Sequence, residues 1–185
     1  AGGTQYNGRV ILKTLSAEYF QYLKAGAEAY AAEHPDEVAV AVKGPPSETS
    51  FQDQLNMIQT DLSDVSYDGY IISPLQQDMV ANLIQDTEKP VIALDTNIES
   101  DKVVTFVGTG NEEAAKQGAI AAVEADKEAG WTEIQCIEIA GVQGASTNTA
   151  RMNGSKAGIA EAGGDFLEDD AQYTQDTATR AVAAM

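Results

Sequence analysis

The sequence predicts an α/β protein in which a parallel sheet is flanked by helices, and three observations predict it. Apolar runs of four to seven residues recur along the chain, segments with apolar residues at helical spacing alternate with them, and proline or glycine closes several of the junctions. Val10-Ile11-Leu12 opens the series as a buried strand. The next segment places Phe20, Leu23, Ala27 and Tyr30 on one helical face, and His34-Pro35 ends that helix because proline cannot continue it.

Val38 to Val42 reads as the second strand, closed by the rigid loop Gly44-Pro45-Pro46. Ser47 or Thr49 can cap the following helix, which carries Phe51, Leu55, Ile58 and Leu62 inward and turns Gln52, Asp53, Gln59 and Asp61 to water. Tyr70-Ile71-Ile72 is a third strand, ended by Ser73-Pro74, and a helix around Met79 to Ile84 leads to a fourth strand from Pro90 to Asp95. Val103 to Val107 is a fifth strand, Asn111 to Ala129 a helix and Ile134 to Ala140 a sixth strand. A helix from Ala150 to Ala162, a weak strand at Phe166-Leu167 and a helix starting at Asp176 complete the pattern. The one domain boundary that the pattern suggests lies near the fifth strand.

Composition narrows the function classes. Hydrophobic residues at 43% and charged residues at 22% describe a chain that folds around one core or two small ones. A formal charge of -18 repels nucleic-acid phosphates and anionic lipid surfaces, so neither is an expected partner. No apolar stretch is long enough to insert into a bilayer. Ala1 to Thr4 lack the layout of a signal peptide, leaving a cytoplasmic protein or one whose leader has been removed. Cys136, the single cysteine, sits in an apolar run and reads as a structural thiol.

Enzyme signatures are missing. The chain has neither glycine pattern that cradles a phosphate, which argues against a nucleotide cofactor. The lone histidine, His34, reads as a surface residue and leaves none for a catalytic triad or a metal cluster. No pair of carboxylates is singled out by spacing, Asn153-Gly154-Ser155 falls inside a helix, and Trp131 reads as a cover for the core edge. The chemistry gathers instead at the strand ends, where ligands of open parallel sheets collect: Lys13, Ser73, Asp95 and Thr109 follow strands one, three, four and five.

Five segments, in this order and spacing, carry a resemblance: Val10 to Phe20, Gly44 to Glu48, Ile72 to Leu75, Val91 to Asp95, and Asn148-Thr149-Ala150-Arg151-Met152-Asn153-Gly154. Together they resemble the type 1 periplasmic sugar-binding proteins, with the nearest likeness to the ribose- and allose-binding branch. The resemblance implies two Rossmann-like lobes joined by a hinge, with most of the first lobe over residues 1–103 and the hinge crossover and an incomplete second lobe over 104–185, as in a C-terminally truncated member. It implies a non-enzymatic solute-binding protein, periplasmic or anchored at the cell surface as a lipoprotein, that captures a monosaccharide or polyol for the membrane permease of an ABC importer. The alternatives are the sensing domain of a chemoreceptor or sensor kinase and the core of a LacI-type regulator, although the latter needs DNA-binding helices that the residues before the first strand cannot supply.

By the same resemblance Tyr19 and Phe20 match the aromatic pair that stacks on a sugar ring, with Phe20 equally placed for the helix core. Lys13 matches the allose-type lysine, Asp95 the carboxylate that accepts adjacent hydroxyls, and Asn148 and Arg151 the second-lobe motif whose guanidinium donates a fork of hydrogen bonds. The chain departs from the pattern at Ala17-Glu18, which replace an Asn-Pro, at Gly110, which replaces an aspartate, and near Gln175-Asp176, where an aromatic is expected.

Overall fold

A computed structural model describes residues 5–185, and Ala1 to Thr4, which left open whether a leader has been removed, lie outside the described residues. The chain divides into two compact units, one ending at Gly108 and the other spanning Thr109–Met185. The first contains β1 (Tyr6–Ile11), α1 (Glu18–Glu33), β2 (Val38–Lys43), α2 (Phe51–Leu62), β3 (Gly69–Ile72), α3 (Gln77–Ile84), β4 (Val91–Leu94) and β5 (Val103–Val107). Its five strands lie in the order β2-β1-β3-β4-β5, and each pairing is parallel. Because β5 is hydrogen-bonded to β4, the compact unit extends past residue 103 to the end of that strand.

Alternation along the strands builds a core on each face of this sheet. Ile11, Tyr70, Ile72, Val91 and Ala93 point to one face and pack against Leu55, Ile58, Val80 and Ile84 of α2 and α3. Val10 and Leu12 point to the other, where Phe20, Leu23 and Ala27 of α1 cover them. The period of two in β1 thus sorts its neighbours between two helical layers. Tyr30, placed on the inner face of α1 by spacing, is 55% exposed and stacks its ring on His34 at 4.3 Å.

Helix α2 corrects the sequence reading at one position. Asp61 is buried, its carboxylate held by Arg9 Nε and Lys43 Nζ, each at 2.7 Å, and Arg9 also lies over the Tyr67 ring. Its distance of three residues from Ile58 puts it on the inward stripe, and the two cations from β1 and β2 compensate the charge that burial would otherwise exclude.

The second unit contains α4 (Asn111–Glu128), β6 (Gln135–Cys136), β7 (Ile139–Ala140), α5 (Ser146–Glu161), β8 (Asp165–Phe166), a 3-10 turn (Glu168–Asp170), β9 (Gln172–Tyr173) and α6 (Ala178–Ala184). The single strand expected over 134–140 is two short strands, each paired with a different parallel partner, β6 with β8 and β7 with β9. The strand β9 has no counterpart in the sequence reading. Val123, Ile134, Ile159 and Ala162 form this unit's core, with Cys136 half-buried beside them, and burial raises the Cys136 thiol above its ordinary pKa. Trp131 is 64% exposed, so it does not cover the core edge.

Helices α4 and α5 pack backbone to backbone. A Cβ at Gly154 would run into the carbonyl oxygen of Glu112, and one at Gly158 into that of Lys116. These two glycines, four residues apart, form one stripe down α5, and Asn153 lies within that helix. Among the described residues no helix is long and apolar enough to cross a membrane.

Two stability outcomes follow. Gly158→Ala must push α5 off α4 and is expected to destabilise the second unit by about 1–3 kcal/mol, read as a lower urea midpoint. Asp61→Ala leaves two cations facing each other at a buried position and is expected to cost about 3 kcal/mol, the low end of the range for a broken buried pair because Lys43 is partly exposed.

Candidate functional site

In the first unit the order β2-β1-β3 means that the chain leaves β1 in one direction and returns past it to β3, so the sheet opens at the carboxyl ends of these two strands. Ser73 N–H donates to Ile11 O at 2.8 Å and is the last ladder bond between them. Lys13 follows β1 and Ser73 follows β3. Both are buried, Lys13 at 7% exposure and Ser73 at 0%.

Asp95 approaches from the end of β4. Its backbone holds φ at +64°, and Thr96 N–H donates to Leu94 O at 2.7 Å across it, a three-residue γ-turn. Non-glycine residues rarely adopt this conformation, aspartate being among the more tolerant. The turn leaves the Asp95 carboxylate 3.1 Å from Lys13 Nζ, with the two side chains only 12% and 9% exposed. Gly108 keeps the turn accessible to β5, since a Cβ there would lie 3.1 Å from Asp95 O and collide with the Phe106 ring.

The aromatic pair divides. Phe20 is 4% exposed in the core with Val10 and Leu12, while Tyr19 is 53% exposed and meets Phe20 edge-on at 5.1 Å and 78°. Phe20 is thus a core residue, as its helical spacing allows, and Tyr19 is the ring left at the surface. Ser73 also differs from the expectation: its Oγ is enclosed and has no hydrogen-bond partner among the described residues.

In the second unit Arg151 is exposed on α5, and its Nε donates to Asn111 Oδ1 at 2.8 Å, with the Asn111 amide donating in turn to Thr109 O at 3.2 Å. Thr109 is exposed. The guanidinium is therefore oriented through one nitrogen, leaving the fork of terminal N–H groups its remaining donors. Asn148 is not comparable: it is 8% exposed, accepts from Gly141 N–H at 2.8 Å and donates to Met152 Sδ at 3.8 Å. It ties the loop after β7 to α5, a structural use of both ends of its amide.

Sequence reasoning missed two groups here. Gln54, fully buried, reaches the mouths of β1 and β3 from α2; its spacing from Phe51 and Ile58 placed it on the inward stripe. Glu138 lies between β6 and β7 with Oε2 buried and unpartnered among the described residues. Burial raises the Glu138 carboxyl above its ordinary value, while hydrogen bonding to Ser155 and the charge of Arg151 pull it back down. Near the end of β9, Gln175 and Asp176 both hold positive φ, at 54° and 55°, with Gln175 N–H donating to Gly141 O.

Among the described residues no group of histidine, cysteine and carboxylates could hold a metal ion. The strand-mouth cluster brings together three ammonium N–H donors and a carboxylate acceptor with no net charge between them. An open groove under α1, lined mostly by apolar groups such as Val10, Ala27, Val38 and Val40 together with Asp36 and Glu37, contains neither Lys13 nor Asp95.

A family model described as a periplasmic binding protein domain matches residues 8–185. None of the curated proteins matches the sequence. Among solved structures, a carbohydrate transporter solute-binding protein from Agrobacterium radiobacter in complex with D-arabinose is similar at 20% identity and a TM-score of 0.84, covering 96% of this chain and 60% of that one. An ABC transporter solute-binding protein from Agrobacterium vitis with bound D-fucose is 23% identical, with a TM-score of 0.81 and coverage of 96% and 61%. A periplasmic solute-binding protein from Actinobacillus succinogenes 130z with bound D-allose is 19% identical, with a TM-score of 0.80 and coverage of 96% and 63%. The chain thus spans about 60% of the length of these proteins, and the likeness establishes the fold.

The raised Glu138 pKa fixes the sign of a pH effect. A carboxyl held above its unfolded value of 4.5 stabilises the fold fully below that value, and the contribution is lost as pH rises through the folded pKa. Glu138→Gln is expected to match the wild type in thermal midpoint at about pH 4 and to exceed it increasingly toward pH 7; a midpoint difference independent of pH would refute the assignment.

Proposed function

The chain belongs to the periplasmic binding protein domain family, and from that premise we propose that it captures a neutral monosaccharide or related polyol outside the cytoplasm and presents it to the permease of an ABC importer. The observation that carries the proposal is the enclosed Lys13–Asp95 pair at the mouth of the parallel sheet. Its charges cancel, so a neutral guest can bind without leaving a buried charge uncompensated, whereas an anionic or cationic guest would. Asp95 accepts two hydroxyls, Lys13 donates to others, and the exposed face of Tyr19 suits the C–H side of a sugar ring.

In the second unit the same reading gives Arg151 the role of a hydrogen-bond donor oriented by Asn111, with Thr109 supplying a hydroxyl. Phe20 and Asn148 serve as scaffold, and Ser73 acts through its backbone. The protein is a carrier and not a catalyst in this reading, which agrees with the family it belongs to and with the solute-binding proteins that it resembles. Membership of the family also supports export from the cytoplasm.

Calorimetry with D-arabinose, D-allose, D-fucose, sugar acids and sugar alcohols tests the reading. At least one neutral member is expected to bind, with sugar acids weaker. Asp95→Ala is expected to cost about 1.5–3 kcal/mol of affinity, the range for hydrogen bonds to a charged group, or roughly ten- to a hundredfold. Absence of binding by every neutral sugar and polyol would overturn it.

A further inference from the structure

We propose that Gln54 is the positioning residue of the strand-mouth site, setting the spacing at which Lys13 and Ser73 leave the sheet. This deepens the sugar-binding reading and rests on it. Past the Ser73–Ile11 bond β1 and β3 part, and Leu12 O and Ser73 O have no ladder partner in each other's strand. Gln54 reaches across from the first turns of α2. Its Nε2 donates to Leu12 O at 3.0 Å and to Ser73 O at 2.8 Å, and its Oε1 accepts from Leu75 N–H at 2.7 Å.

Two acceptors and one donor facing a single amide leave only one orientation for it, and a flip would break all three bonds. The side chain is 0% exposed, so water does not compete for these partners. One acceptor belongs to the residue before Lys13 and the other to Ser73 itself. The bridge therefore fixes where the Lys13 side chain starts, and through Lys13 the 3.1 Å contact with Asp95. An uncharged amide does this without adding a field to the ion pair, which a glutamate would.

Gln54→Met and Gln54→Glu test the proposal, with Ile58→Val, from the same helix and core, as a control for lost stability. In amide hydrogen exchange, Gln54→Met is expected to speed the amides of Leu12, Ser73 and Leu75, which donate to Lys43 O, Ile11 O and Gln54 itself, at least tenfold beyond any change shared with the rest of the unit, while Ile58→Val changes none of them selectively. Affinity for the tightest-binding of D-arabinose, D-allose and D-fucose is expected to fall at least tenfold in Gln54→Met and to stay at the wild-type value in Ile58→Val. Gln54→Glu keeps the shape if the methionine variant does not fold, and its affinity is expected to recover in part as pH falls and the acid regains one donor. Uniform exchange changes, or an affinity that tracks the control, would overturn the role of Gln54. Wild-type protein that binds none of the sugars would instead overturn the function, and the exchange result would still judge the bridge.

Discussion

Parallel strands that change neighbours must part at their carboxyl ends, and parting strands leave backbone carbonyls with no ladder to join. In the first unit this happens between β1 and β3, and the fold answers with one buried amide. Gln54 satisfies Leu12 O, Ser73 O and Leu75 N–H together, so the opening has a defined width and a dry floor. A buried unpaired carbonyl or N–H costs on the order of 1–3 kcal/mol, so the chain cannot leave these groups to chance. The same opening is where Lys13 emerges and where Asp95 arrives from β4.

What the opening holds is a pair of charges that cancel. Lys13 and Asp95 are both nearly enclosed, and neither would be tolerated there alone. The turn that delivers Asp95 is strained, with a positive φ closed by a bond across a single residue. Strain of this kind persists when neighbours over-determine it, and here the bond from Asp95 N–H to Val107 O and the absence of a side chain at Gly108 do so. Tyr19 stays exposed beside the buried Phe20.

The second unit is organised by contact between backbones. Gly154 and Gly158 let α5 lie directly on α4, and that contact fixes the face of α5 from which Arg151 reaches Asn111. The small strands hold the other side: Asn148 anchors the loop after β7, and Thr174 N–H and Oγ both donate to Ala140 O. Glu138 sits where the strand run breaks in two, buried enough for its carboxyl to resist ionisation.

Periodicity alone was enough for the α/β class, the five strands of the first sheet and the helices between them, because alternation and helical spacing are local consequences of which face is buried. It also placed Lys13, Ser73 and Asp95 at strand ends, since a strand's end is visible where its apolar run stops. The partners of buried polar groups were not legible. Asp61 and Gln54 lie on the inward stripe of α2 by their spacing from Ile58, yet polarity alone assigned Asp61 to water. Only β1 and β2 bringing Arg9 and Lys43 to it, and β1 and β3 parting above Gln54, make burial affordable. The apolar run over 134–140 likewise gave no sign of dividing, because a strand of two residues exists only through its partner, here Asp165–Phe166 or Gln172–Tyr173. Sequence by itself determined which residues want to be inside and with what period; the tertiary structure decided which polar groups meet there, because a hydrogen bond or ion pair joins residues far apart in the chain and leaves no local pattern.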